Sequence, residues 1–465
     1  MDVDLLVIGW GKAGKTLAGR YAAAGHSVAL VERSPKMYGG TCINIACVPT
    51  KDLVVSAEQR RESDDPAEYF AQSVAGRDAL IEKLNKANHA MLEKPNVTLI
   101  DGTARFVGPH EVSIDTADGE VSVTASKIIV GTGATPARLP IPGADGDRIY
   151  DSTTIQHVEP FPKRLVVIGG GFVGLEFANM FAHFGSEVTV LDGGDTFLPA
   201  VDRDVAEAVL DALKAEGIGV ESGVKVEEFS ETADAVVARS SAGEFEADAV
   251  LVAAGRTPAT KELGLDAAGR APATKELGLD AVGITTNERG FIEVDDQLQT
   301  SVEGVYAVGD VNGGPQFTYI SLDDNRIVWD AIVGDGKRRR SDRVAVPNST
   351  FITPPLSMVG MNEKQVRESG RKVLVASKPV EKIAAMPRPK IVGDTRGLFK
   401  IFVDDDTEEI LGATVFSIDS QELINFVALA MRLGAKVSDL HDGIWTHPSS
   451  TEGFNEVLGE LKPLD

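Results

Sequence analysis

Two segments of this chain follow one pattern: an apolar strand, a glycine cluster, a helix, then a second apolar strand that ends in an acid. The first runs through Leu5-Leu6-Val7-Ile8 and Gly9-Trp10-Gly11-Lys12-Ala13-Gly14 to Val28-Ala29-Leu30-Val31-Glu32. The second runs through Leu165-Val166-Val167-Ile168 and Gly169-Gly170-Gly171-Phe172-Val173-Gly174 to Val188-Thr189-Val190-Leu191-Asp192. A lone glycine motif is weak evidence, because a helix packed closely on a strand needs such residues without any ligand. The complete strand–loop–helix–strand–acid unit, occurring twice, is far more specific for dinucleotide binding. The glycines allow a tight turn and let the backbone approach a pyrophosphate at the helix N-terminus. Glu32 and Asp192 each stand where a carboxylate accepts from an adenosine ribose. The fold class expected is therefore α/β, with two Rossmann-like domains.

The rest of the 465 residues gives the organisation. The strand Gly304-Val305-Tyr306-Ala307-Val308-Gly309-Asp310 also ends in an acid, but lies too far downstream to complete the second unit. It is expected to return to the first. Residues 1–145 and 284–345 then form a split first domain, with 146–283 inserted as the second. From 346 to 465 the pattern changes: Val373-Leu374-Val375, Phe399 to Val403 and Ile410 to Phe416 read as antiparallel strands, and a helix is predicted from Ser420 to Leu433. That segment reads as a separate α+β domain. Residues 255–268 and 269–282 are a tandem repeat, identical at 12 of 14 positions. One extra copy is too few for a solenoid, so it is expected to lengthen a surface link.

Charge and composition exclude several functions. Lys plus Arg number 46 and Asp plus Glu 70, for a net charge of −24. Such a chain repels a phosphate backbone and an anionic bilayer, so neither nucleic acid nor a membrane is an expected partner. No apolar run approaches the length of about 18 residues that a spanning helix needs, and the acidic start does not read as a secretory leader. A cytoplasmic location is expected.

The chain has only two cysteines, Cys42 and Cys47, in Gly39-Gly40-Thr41-Cys42-Ile43-Asn44-Ile45-Ala46-Cys47-Val48-Pro49-Thr50-Lys51. Two cysteines cannot build a secreted disulfide scaffold. Residues five apart in a regular helix are separated by roughly 7.5 Å along its axis. A disulfide wants Cα atoms about 4.4–6.8 Å apart. Either the backbone is irregular here or the two never bond. A glycine-led turn feeding a helix meets that need and favours a thiolate through the helix dipole. Zinc is disfavoured, because no second cysteine pair or nearby histidine completes a tetrahedral set. An inert buried pair is the alternative.

Gly40-Thr41-Cys42 through Cys47-Val48-Pro49-Thr50-Lys51 resembles the redox-active segment of the class I pyridine nucleotide-disulfide oxidoreductases. The resemblance extends to both glycine loops, to Gly309-Asp310 and to His447-Pro448 with Glu452. Within that family, Gly9 to Thr16, Gln316-Phe317-Thr318-Tyr319-Ile320-Ser321-Leu322-Asp323-Asp324 and Thr353-Pro354-Pro355-Leu356-Ser357 most resemble the bacterial reactive-chlorine-resistance flavoproteins and hypothiocyanous acid reductases.

The resemblance implies FAD in the first domain and a nicotinamide in the second, with 346–465 as a dimerisation domain. Gly9, Gly11, Gly14 and Glu32 would hold the adenosine diphosphate end of FAD, Asp310 its ribityl chain, and Thr41 and Gly133 further contacts. Gly169, Gly171, Gly174, Asp192 and Gly255 would serve the nicotinamide cofactor. Cys42 would meet the substrate and Cys47 the flavin, the two forming a redox disulfide. Lys51 would lie near flavin N5 and pair with Glu176, whose alternative reading is an exposed helix acid. His447 and Glu452 would form an acid/base pair supplied across a homodimer interface, with Pro448 starting a helix. Asp192 favours the free 2′-hydroxyl of NADH and repels the 2′-phosphate of NADPH; the next arginine is Arg203. No metal ligand set is expected.

The activity implied is reduction of an oxidised sulfur acceptor, hypothiocyanous acid or a related oxidant. Dihydrolipoamide dehydrogenase chemistry and copper(II) reduction are alternatives, and a flavin-bound redox sensor is the non-enzymatic one. Mercuric reductases use an extra C-terminal cysteine pair, which this sequence lacks. Ala46 departs from the family's usual glycine, and alanine there would be strained at positive φ.

Overall fold

The computed structural model describes residues 1–136, 139–253, 270–272, 274 and 277–464. The described residues of 1–140, 151–158 and 255–342 form one unit, and those of 141–150, 159–254 and 343–465 form another.

In the first unit, strand β1 (Asp2–Ile8), helix α1 (Lys12–Ala23) and strand β2 (Val28–Glu32) form the first predicted βαβ core. β1 and β2 pair in parallel, Leu5 opposite Val28 and Ile8 opposite Val31. A strand within a parallel sheet is covered on both faces, so it reads as an unbroken apolar run rather than an alternating one. Every residue of β2 is buried accordingly. Next come two helices, α2 (Thr41–Asn44) and α3 (Cys47–Gln59), and the long α4 (Pro66–Ala90). Strands β3 (Val97–Asp101), β4 (Thr103–Gly108), β5 (Glu111–Thr116) and β6 (Gly119–Val130) complete a sheet ordered β3-β2-β1-β6-β5-β4. The acid-ended strand returns as expected: Val305–Ala307 pairs in parallel with β6, Val305 opposite Ile128.

The second unit holds the second βαβ core. Strands Arg164–Ile168 and Glu187–Asp192 pair in parallel around helix Phe172–Phe184, in a five-stranded parallel sheet. The unit also holds a six-stranded sheet whose pairs are all antiparallel, including Val373–Pro379, Leu398–Asp404 and Ile410–Phe416. Helix Ser420–Leu433 covers it, burying Leu423, Ile424 and Val427 against Ile401, Val403 and Val415. The architecture is thus two Rossmann-like sheets with a C-terminal α+β assembly.

Three sequence readings need amendment. Pro448 starts no helix; the next one runs Gly453–Val457. The intervening chain is held in a turn, because the Glu452 carboxylate accepts the Ser449 N–H at 2.8 Å. The tandem repeat lies mostly outside the described residues, as does Gly255. Its second copy does not end on the surface: Leu277 and Leu279 are buried in the first unit's core, and Phe106 N donates to Leu277 O at 2.9 Å. Glu176 is no exposed helix acid, being only 8 % exposed. Among the described residues, no helix is long and apolar enough to cross a membrane.

Candidate redox site

A cavity of about 700 Å³ opens in the first unit along the carboxyl ends of β1 and β2. Gly9, Gly11, Gly14, Glu32, Thr41, Cys42, Cys47, Gly133 and Asp310 all line it. These residues span more than 300 positions of sequence, and the parallel sheet brings them to one place.

The wall is backbone where a cofactor would have to approach. Gly9 has φ +100°, and a Cβ there would come within 2.5 Å of Gly131 O. Gly40 has φ +75°, and its Cβ would stand 2.8 Å from Gly11 Cα. Any side chain at either position would break the turn or fill the cradle. Thr132 Oγ1 and Gln316 Nε2, on residues lining the same cavity, are buried without a hydrogen-bond partner. Buried polar atoms of this kind call for a ligand. Glu32 accepts from Trp10 N at 3.1 Å and Ser34 N at 3.3 Å, yet burial raises its carboxyl above the usual range. A ribose hydroxyl would satisfy it further. These residues fit the adenosine diphosphate end of FAD.

Cys42 lies in α2 and Cys47 opens α3, with Ile45 and Ala46 as the break between. Ala46 has φ −109°, so the departure from glycine costs no left-handed strain. Both cysteines are thiols, and Cys47 Sγ lies 3.4 Å from Thr318 Oγ1. A hydrogen bond with Cys47, reinforced by burial, pushes the Cys42 thiol up; Thr318 and Lys15 pull the other way. Burial and the neighbouring Cys47 push the Tyr319 phenol up to about 12. Thr318 stood in the string that carried the resemblance, but with no role assigned. Its signal was a hydroxyl at the first residue of the helix Thr318–Val333.

The remaining predicted residues lie as follows. Lys51 is one turn beyond Cys47 in α3. Glu176 belongs to the second unit, where its Oε1 accepts the Phe351 N–H at 2.8 Å. Gly169, Gly171 and Gly174 form the turn into helix Phe172–Phe184, and Asp192 ends the next strand. A Cβ at Gly170 would come within 2.9 Å of Asp192 Cγ, so the carboxylate is seated on the glycine loop. Arg203 spends its guanidinium on the carbonyls of Phe197, Leu198 and Val201 at 2.5–2.9 Å. His447 Nδ1 lies 2.8 Å from Glu452 Oε1, with the histidine side chain 72 % exposed. Glu452 is held below the usual carboxyl range by the Ser449 N–H and by His447. The sole trio of close acids among the described residues, Asp202, Asp204 and Glu363, surrounds the Lys400 ammonium at 2.7–3.5 Å.

Comparison with known proteins shows the family. The profile of pyridine nucleotide-disulphide oxidoreductases matches residues 3–324, and the profile of their dimerisation domain matches 346–458. The chain is 43% identical to the probable pyridine nucleotide-disulfide oxidoreductase RclA of Escherichia coli, over 98% of this chain and 99% of that one. It is 32% identical to dihydrolipoyl dehydrogenase 2 of Haloarcula marismortui, over 99% and 96%. The solved copper(II) complex of the HOCl-induced flavoprotein disulfide reductase RclA from E. coli superposes with TM-score 0.91 at 41% identity, covering 99% of both chains.

Proposed function

Because the chain belongs to the pyridine nucleotide-disulphide oxidoreductase family, and is thus an enzyme that uses FAD and a nicotinamide, we propose that it reduces hypothiocyanous acid or a related reactive-chlorine-derived oxidant. The observation that carries this reading is the convergence of Cys42 and Cys47 with the glycine loop and Glu32 on one cavity.

When bound, FAD would take electrons from the nicotinamide and deliver them to the cysteine pair. The protein's own residues would do the rest. Cys42, as thiolate, attacks the oxidised sulfur and displaces hydroxide, which takes a proton to leave as water. Cys47 then attacks Cys42, closing the disulfide and releasing thiocyanate. Two thiols thus lose two electrons to the oxidant. His447, oriented by Glu452 and supplied across the interface of a homodimer, would take and return the Cys42 proton. Lys51 and Glu176 keep the roles the resemblance gave them. The matched dimerisation domain supports a homodimer, and so do the exposed Leu433 and Ile444. A cytoplasmic setting would keep both thiols reduced between turnovers.

NADH is the proposed donor. The Asp192 carboxylate repels a 2′-phosphate, and Arg203 has its donors committed to three carbonyls.

The test is an acceptor panel with NADH and purified holoenzyme. Hypothiocyanous acid should turn over much faster than glutathione disulfide, and equal or reversed rates would overturn the assignment. A copper(II) arm belongs in the panel, because the similar E. coli reductase was solved as a copper(II) complex. Faster copper(II) than hypothiocyanous acid reduction would favour that second reading.

A further inference from the structure

Arg77 is 1 % exposed, in the middle of α4, and Gln156 is 2 % exposed. Neither belongs to the motifs above, and a buried guanidinium is costly unless all its donors are used. Here they are used. Nε and Nη2 donate to Asp78 Oδ1 at 3.0 and 2.6 Å, and Nη2 also meets His157 Nε2 at 2.5 Å. Nη1 donates to Gln156 Oε1 at 3.0 Å. That bond fixes which way the Gln156 amide faces. Its Nε2 then donates to Ser152 O at 2.7 Å and to Ile45 O at 2.8 Å.

Ile45 lies between the two cysteines. Its carbonyl would ordinarily accept from the residue four positions on, but that residue is Pro49, which has no N–H. Ile45 and Ala46 have (φ, ψ) of (−131°, −46°) and (−109°, −88°), so the helical path is interrupted at these two residues. The Gln156 amide therefore supplies the donor that the sequence withholds, where the backbone must give if the two sulfurs are to move from hydrogen-bond contact to a covalent bond. A second contact from α4, Asn85 Nδ2 to Asn44 Oδ1 at 3.0 Å, braces the α2 side.

We propose that Arg77 and Gln156 are positioning residues for the cysteine pair: a buried clamp on the Ile45 carbonyl that poises Cys42 and Cys47 toward the dithiol. The proposal rests on the reading of these cysteines as the redox pair. The clamp is closed in the dithiol form, and closing the disulfide would draw the Ile45 carbonyl off the Gln156 amide, so releasing the clamp moves the equilibrium toward the disulfide.

The experiment equilibrates holoenzyme anaerobically in dithiothreitol redox buffers, traps free thiols with a maleimide and counts them by mass. Closing the Cys42–Cys47 bond gives two electrons and two protons to oxidised dithiothreitol, whose own disulfide opens. Gln156→Glu keeps the length of the side chain and an acceptor for Arg77, but has no N–H for Ile45. Gln156→Leu removes the bonds to Arg77, Ser152 and Ile45. Each should shift the equilibrium toward the disulfide by threefold or more, tenfold corresponding to about 30 mV for a two-electron couple. Flavin content reports folding, and if the leucine variant loses flavin the glutamate variant decides. A shift below threefold, or one toward the dithiol, overturns the clamp. A wild type whose thiols never close in the most oxidising buffer refutes the redox pair itself, and the clamp with it. That result is distinct from a wild type that titrates normally while the variants match it.

Discussion

The Cys47 sulfur lies 3.4 Å from the Thr318 hydroxyl oxygen, at the first residue of a 13-residue helix. Both the hydroxyl and the helix N-terminus favour a thiolate over a thiol at this sulfur. A hydrogen bond to a charged group contributes about 1.5–3 kcal/mol, and one pKa unit is worth about 1.4. Thr318→Val, which keeps the shape and removes the hydroxyl, should destabilise the Cys47 thiolate by about 1.5 kcal/mol. A spectrophotometric pH titration of the long-wavelength absorbance band of NADH-reduced enzyme checks this. The band should vanish altogether in Cys47→Ser.

Local chemistry was legible before the structure, and long-range chemistry was not. The path from Gly9 to Glu32 and the segment from Gly40 to Lys51 each express their role within about 25 residues, because a turn, a helix start and a strand end are written in adjacent positions. Gln156 had no such signature. Its meaning comes from Ile45, 111 positions away, and from Arg77, 79 away. Glu176 is similar, since the burial that separates it from an ordinary helix acid accompanies a bond to Phe351, 175 positions distant. Pro448 failed in the other direction. A local helix-start rule was outcompeted by the Glu452 carboxylate, which closes a turn on Ser449.

On the proposed reading Asp192 sets the nicotinamide preference through its charge, and among the described residues Arg203 has its guanidinium bonded to the carbonyls of Phe197, Leu198 and Val201. Asp192→Ser should therefore lower the ratio of kcat/KM for NADH to that for NADPH at least tenfold, about 1.4 kcal/mol of discrimination. The ratio is measured with one acceptor at saturating concentration. A second substitution, Gly194→Arg, should reverse the preference by offering the phosphate a cation.

Lys15 is half-buried in α1 and donates to Asn88 Oδ1. Burial, with some repulsion from Lys12, pushes its ammonium down from 10.5 to about 8. Between those values the unfolded chain binds a proton that the folded chain does not, so stability rises with pH across that window. Below about 8 the cost of holding the ammonium is present in full. Lys15→Met removes it, with an expected gain of about 1–2 kcal/mol after discounting for partial exposure. The lost bond to Asn88 subtracts equally at every pH. The difference in Tm between variant and wild type should accordingly be more favourable at pH 7 than at pH 10, as followed by flavin release.

His447 and Glu452 contact each other at 2.8 Å, but the imidazole is largely exposed, and among the described residues its Nε2 has no hydrogen-bond partner. An acid/base residue of this kind should matter only when Cys42 exchanges protons with an acceptor. His447→Gln is expected to slow acceptor turnover by about 10²–10⁴-fold, while the rate at which NADH bleaches the flavin stays within twofold. Stopped-flow absorbance separates the two half-reactions. Glu452→Gln should cost less, because it misorients the ring without removing it, and should narrow the acidic limb of the pH profile. The sign follows from the lowered Glu452 carboxyl. Its pairing with His447 is present above the ordinary carboxyl range and is lost only as pH falls through the lowered value, so wild type keeps its oriented imidazole well into acid. Mixing His447→Gln subunits with Cys42→Ser subunits gives the decisive arrangement. The His447→Gln homodimer is slowed as above and the Cys42→Ser homodimer does not turn over, and if the two groups meet across the interface, each mixed dimer regains one complete site and about half of its theoretical two-site activity.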